Sequence, residues 1–143
     1  MRYFFVDTEN VNNYSFIEKM SVSSEDTIIL FFSEKSKGIK VEDLKKITES
    51  LVNVQYEKVD ANTKNALSYQ LLISLLLKIK AMCDGDEFFV VTNNDDYNSA
   101  LEYIESKIGE KVSVVQLEDE EIKECRAVVN NDLSALCIEN LDF

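Results

Sequence analysis

The chain contains no histidine. Imidazole is therefore unavailable as a general base, as the partner of a nucleophile or as a metal ligand, which excludes Ser-His-Asp and Cys-His triads and most zinc enzymes. Glycine is nearly as scarce, occurring only at Gly38, Gly85 and Gly109. A phosphate-cradling P-loop and a G-x-G-x-x-G dinucleotide turn both need glycines close together, so nucleotide cofactors held in those ways are excluded. Cys83, Cys125 and Cys137 are an odd number at wide spacing. That suits neither a disulfide framework nor the close pairs of a zinc site, and the three read as reduced core residues. Long apolar runs are missing too. The richest, Leu67 to Met82, is broken by Gln70, Ser74, Lys78 and Lys80. It falls short of the roughly 18 to 20 residues a bilayer crossing needs. The amino terminus reaches Asp7 after a short apolar run, unlike a secretory signal. The expectation is a cytoplasmic protein with no membrane contact. What remains for chemistry is carboxylates, amides, hydroxyls, lysines, thiols and a hard cation such as Mg2+.

What is present describes an ordinary globular chain. With 143 residues, 45% apolar and 29% charged, it has the length and composition of one domain that folds alone. The net charge is −12, from 15 basic and 27 acidic residues, and the segment from Glu118 to Phe143 supplies half of it, with eight acids against two bases. The reading is one domain over 1–143 with an acidic C-terminal extension from about 118, a surface for a protein partner or a homodimer contact. Such acidity argues against gripping nucleic acid by bulk electrostatics. The one locally basic stretch runs from 34 to 46, where Lys35, Lys37, Lys40, Lys45 and Lys46 outnumber Glu34, Glu42 and Asp43. It reads either as solvated lysines around a surface helix or as a phosphate path.

Strand and helix patterns alternate. R-Y-F-F-V (2–6) and T-I-I-L-F-F (27–32) are short runs of β-branched and aromatic residues, as expected of parallel strands covered on both faces, and E-F-F-V-V-T (87–92) and V-S-V-V-Q-L (112–117) are two further candidate strands. V-N-V-Q-Y-E-K-V (52–59) alternates apolar and polar residues and suits a partly wet edge strand. Helices are expected over 10–20, 41–51, 66–82 and from Tyr97 to Ile108, the last ended by Gly109, with one or two short helices after Leu117. The helix over 66–82 is apolar almost all round and is expected to be the most buried. This order implies an α/β fold, a three-layer α/β/α sandwich around a mostly parallel five-stranded sheet. Ligands of such sheets bind beyond the carboxyl ends of the strands, where the winding reverses.

Polar residues after the strands therefore matter most. The first strand runs into Asp7-Thr8-Glu9-Asn10, the third into Asp60-Ala61-Asn62, and the fourth into Asn93-Asn94-Asp95-Asp96; Asn65 and Ser68 open the intervening helix one turn apart. Oxygen donors of this kind suit a hard divalent cation, and metal-assisted hydrolysis is the natural chemistry of such a rim in the absence of histidine. Asn94 and Asp95 also suit a helix cap and first-turn acid, and Asp60 and Asn62 suit an ordinary turn. Asp7 stands apart, because an acid closing a covered strand is costly unless it has a purpose.

F-V-D-T-E-N (5–10), L-F-F-S-E-K-S-K-G-I (30–39), K-N-A-L-S-Y-Q-L (64–71) and V-V-T-N-N-D-D-Y (90–97), in this order and spacing, resemble the PIN-like nuclease superfamily near its NYN-type bacterial branch. The resemblance covers residues 2 to about 117. It implies a parallel sheet whose carboxyl edge gathers acids around Mg2+ or Mn2+ for hydrolysis of RNA phosphodiesters. It matches Asp7 to the first family acid, the principal catalytic acid and metal ligand, with Glu9 and Asn10 as its D-x-E-N companions. The reading of the rim itself adds Asn94 and Asp95 as catalytic and metal-ligating candidates and Asp96 as a further metal ligand, with Asn10, Lys35, Lys37, Asn65 and Ser68 as candidates for substrate binding. Ser68 falls where such sequences read N-A-L-D, and Asn94 and Asn98 fall at two further acidic positions. Amide or hydroxyl in place of carboxylate keeps an oxygen donor but removes the charge that holds a cation. Two functions are thus expected: a metal-dependent ribonuclease with an atypical acidic site, or a catalytically degenerate domain acting as a binding or regulatory module.

Overall fold

A computed structural model describes residues 1–60 and 63–117. Nine elements alternate along them: β1 (Arg2–Asp7), α1 (Phe16–Lys19), β2 (Thr27–Phe32), α2 (Val41–Ser50), β3 (Asn53–Lys58), α3 (Ala66–Lys80), β4 (Glu87–Val91), α4 (Tyr97–Ile108) and β5 (Val112–Val115). The strands form one sheet in the order β3-β2-β1-β4-β5, every neighbouring pair parallel. The chain winds outward from β1 to β3 and then crosses to β4, so the switch point lies between β1 and β4. The expected three-layer α/β/α arrangement is what the structure has. β3 lies at an edge and is mostly exposed, as its alternating sequence requires.

The two-residue period of the strands sorts the core into two layers. Phe5, Ile29, Phe31, Phe88 and Val90 face α3 and α4, where they meet Leu67, Leu71, Leu75, Ile79, Leu101 and Ile104. Phe4, Val6, Ile28, Leu30 and Val91 face the other way, toward Phe16 and Ile17 of α1 and Ile47 of α2. Offset aromatic stacking ties β1 to its neighbour: Phe4 and Phe89 lie 4.8 Å apart and Tyr3 and Phe88 5.6 Å apart, centroid to centroid. Gly109 takes φ 85° and closes α4 in the left-handed conformation that its sequence position called for.

Three expectations are corrected. The helix over 10–20 shrinks to Phe16–Lys19. Asn13 Oδ1 accepts the Ser15 N–H at 3.0 Å and the Tyr14 N–H turns to Asp43 at 3.3 Å, so side chains take the donors a helix would have used. The α3 helix is not buried all round. Leu67, Leu71, Leu75 and Ile79 form its buried stripe, whereas Tyr69, Ile73 and Leu77 on the far side are 59%, 56% and 64% exposed. A helix laid on one sheet face buries one stripe, whatever its remaining positions contain. Cys83 is an exposed free thiol rather than a core residue, because it lies beyond the end of α3 in the turn to β4. Asn62, Cys125, Cys137, the short helices expected after Leu117 and the acidic extension lie outside the described residues.

Candidate functional site

The pleat decides where Asp7 points. It continues the alternation that puts Phe5 on the α3/α4 face, so its side chain emerges at the carboxyl end of β1, at the switch point. Its exposure is 0%. Oδ1 accepts the Glu9 N–H at 3.1 Å, and Oδ2 accepts three donors: Asn10 Nδ2 at 2.8 Å, Thr92 Oγ1 at 3.1 Å and the Tyr97 hydroxyl at 3.2 Å. Oδ2 is thus fully engaged, while Oδ1 accepts a single N–H. Each donor comes from a fixed element. Thr92 follows β4, its N–H bonded to the Val115 carbonyl, and Tyr97 is the first residue of α4, its ring in the same apolar stripe as Leu101 and Ile104. Burial, and then the Asp7 charge, push the Tyr97 hydroxyl well above the usual tyrosine range, while a hydrogen bond with Ser68 acts in the opposite sense. Ser68 thus reaches Asp7 through Tyr97, and the proton stays on the phenol to serve the carboxylate.

The remaining residues expected at the site divide into two flanks around Asp7. On the β2 side, Glu9 is half-buried and accepts a short hydrogen bond from the Ser33 hydroxyl. The loop 33–37 is clipped to the end of β1: Thr8 Oγ1 bonds the Phe31 carbonyl at 2.7 Å and Ser36 Oγ at 2.6 Å, and the Lys37 N–H donates to the Thr8 carbonyl at 3.4 Å. Lys35 and Lys37 are carried on that loop, exposed and without a carboxylate partner among the described residues. On the other side, α3 and α4 enclose a groove of about 620 Å3 lined by Asn65, Ser68, Asn94, Asp96 and Tyr97 at its polar end and by Tyr69, Leu72 and Tyr103 beyond.

Two residues do not join either flank as expected. Asp95 is exposed and accepts Gln116 Nε2 at 2.7 Å, facing β5 instead of Asp7. Asp60 is exposed, with no hydrogen bond or ion pair among the described residues. Asn94 meets Asp7 only indirectly, since its N–H donates to Thr92 Oγ1 at 3.1 Å while its carbonyl oxygen accepts the Asp96 N–H at 2.9 Å. That Asx turn precedes α4. It gives Asn94 a turn role rather than the side-chain cap, which α4 lacks altogether. The sequence reading missed Thr92, Tyr97 and Ser33, the hydroxyl partners of the two acids.

A family model described as "PIN domain" matches residues 1–115, a span that holds every described element and both flanks of the site. No curated protein and no solved structure matches the chain. PIN domains are generally metal-dependent nucleases that act on RNA, usually with Mg2+ or Mn2+. The residues here do not fit such an ion. Among the described residues no three His, Cys, Asp or Glu side chains converge on one point. Asp7 is buried with three protein donors on Oδ2 and one on Oδ1, and Glu9, Asp95 and Asp96 stand on different sides of it. No described helix is long and apolar enough to cross a membrane.

Proposed function

This chain belongs to the PIN domain family, and on that premise we propose that it is a PIN domain that binds single-stranded RNA without hydrolysing it. The observation that carries this reading is the state of Asp7, which is fully buried, accepts four neutral donors and has no second and third acid converging on it among the described residues. Ser68, Asn94 and Asn98 support it, each neutral at a position where the resemblance has an acid. Binding rests on Lys35 and Lys37, two exposed lysines carried on the loop clipped to the end of β1, with Asn10 and the α3/α4 groove completing the surface. The D-T-E-N opening supports placement in the NYN-type branch. The whole chain reads as one PIN unit of the cytoplasm with an acidic extension, which offers a protein partner or a second copy somewhere to dock.

The test pairs calorimetric titration of the protein with Mn2+ or Mg2+ against a cleavage assay on single-stranded RNA. The expected result is RNA binding with no heat of metal binding at millimolar metal and no metal-dependent product. A ribonuclease remains the second reading, because Asp7 and Glu9 occupy the switch-point edge where the resemblance places its first acids. It would have Asp7 as principal ligand and Asn94 assisting. Metal-dependent cleavage by the unmodified chain that disappears in Asp7→Asn would establish that reading and overturn the first.

A further inference from the structure

We propose that the groove between α3 and α4 is a seat for an unpaired nucleobase. The proposal extends the RNA-binding reading by naming the part of the RNA that this groove takes. Phosphate is a poor candidate, since no lysine or arginine lines the groove and its one charged residue, Asp96, is an acid. A base is neutral, flat and edged with hydrogen-bonding groups, and the groove answers each property. Tyr69 and Tyr103, one from each helix, line it and remain 59% and 64% exposed, so both offer π-surface without displacing core. Exposed aromatic rings of this kind are what single-stranded nucleic acids stack on. Two carboxamides at the polar end, open to solvent, keep hydrogen-bonding groups that the protein does not use. The Asn65 side chain makes no hydrogen bond among the described residues, and Asn94 has spent only its carbonyl oxygen, leaving its NH2 free. Amides are suited to base edges because they donate and accept side by side. Asn65 takes φ 65°, a left-handed conformation that asparagine tolerates, and its side chain caps nothing. Lys107 stands over the Tyr103 ring, its Nζ 5.6 Å from the centroid, and supplies a cation just outside the groove where the sugar-phosphate of a seated nucleotide would emerge. The volume of about 620 Å3 is within the range of small-ligand pockets.

The test has two arms. In the first, a labelled single-stranded RNA octamer and an abasic octamer of the same length are titrated into the full chain and into Tyr69→Ala, Tyr103→Ala and Tyr103→Phe. Each alanine variant is expected to weaken RNA binding about tenfold, the effect of losing one stacked base. Tyr103→Phe, which keeps the ring, should stay within about twofold, and the abasic octamer, which has nothing to stack on either ring, should bind the unmodified chain more weakly than either alanine variant binds RNA. RNA binding that falls in Lys35→Glu/Lys37→Glu but not in the tyrosine variants would sink the groove and leave the RNA-binding reading standing. In the second arm, AMP, UMP and ribose 5-phosphate are added while the ring resonances of Tyr69 and Tyr103 are followed by NMR. Shifts with the two nucleotides and not with ribose 5-phosphate support the groove even if no RNA binds. Their absence overturns it.

Discussion

Two buried aspartates close opposite ends of the same sheet, and they are stabilised by different means. Asp26 lies just before β2 at the amino edge and Asp7 ends β1 at the carboxyl edge, at 4% and 0% exposure. Asp26 meets a guanidinium in a two-point grip, Arg2 Nε on Oδ1 at 3.0 Å and Nη2 on Oδ2 at 2.8 Å, and also accepts the Ser23 N–H at 2.9 Å. Burial pushes the Asp26 carboxyl upward, but the Arg2 hydrogen bond, the Ser23 N–H and the Arg2 charge together hold it below the ordinary carboxylate range. Asp7 has no cation among the described residues and is surrounded by dipoles alone. The amino edge is thus a charge-neutral clamp that serves stability. At the carboxyl edge Asp7 instead accepts four neutral donors, and the groups around it that keep free donors are amides and lysines.

The contrast breaks most visibly at Asp7. Asp7→Ala strands the Thr92 and Tyr97 hydroxyls and the Glu9 N–H at a dry site, and at about 1 to 3 kcal/mol per unsatisfied buried group the expected loss is on the order of 3 kcal/mol. Thermal melting should fall by on the order of 10 °C; a shift within error of zero would show that Asp7 is not the keystone of the edge. Next is the clamp. Asp26→Asn should cost about 2 kcal/mol, the value of a charge-assisted hydrogen-bond pair that is partly open to solvent. Because the folded carboxyl lies below its ordinary 3.8, its contribution is complete above that pH and lost as pH falls through the folded value. The acid limb of the stability profile should therefore flatten in Asp26→Asn while remaining steep in Tyr97→Phe.

Tyr97→Phe ranks third, at about 1 kcal/mol for one of four bonds to Asp7. Its signature lies at the other end of the pH scale. The folded hydroxyl is raised above 10.0, so its contribution is complete below pH 10 and lost as pH rises toward the folded value. The alkaline limb should flatten in Tyr97→Phe alone. The smallest change in stability belongs to Lys35→Ala/Lys37→Ala, within about 0.5 kcal/mol because both side chains are exposed. Its effect should appear instead in RNA binding, where the slope of log K against log salt drops by about 0.7 for each phosphate contact removed. An unchanged slope would take these lysines off the RNA path.

The sheet was readable because the central strands are written as runs of β-branched and aromatic residues and the edge strands β3 and β5 as apolar residues interrupted by polar ones, and all five segments end within one or two residues of the structure. The first helix was overread because apolar spacing from Val11 to Met20 says nothing of Asn13 and Asp43, whose side chains take the Ser15 and Tyr14 N–H groups. At the site, Asp7 stood out as an acid closing an apolar run. Thr92 and Tyr97 did not, since each fits the pattern of its own element, one ending a strand and the other joining the buried stripe of α4. A signal was nonetheless present. A tyrosine on a buried stripe must find a partner for its hydroxyl, and the nearest sheet edge in this topology is the one carrying Asp7. The outward turn of Asp95 had no such signal, because it depends on where Gln116 leaves β5.

The outer side of α3 affects how the protein behaves in bulk. Tyr69, Ile73 and Leu77 form a greasy ridge in water, and the net charge of −12 sets repulsion between molecules against association through it. Lowering the pH reduces that net charge, while the Arg2 clamp keeps the proton affinity of Asp26 depressed. Turbidity on lowering the pH should therefore set in while the polypeptide is still natively folded, and Leu77→Lys should delay it without moving the melting curve.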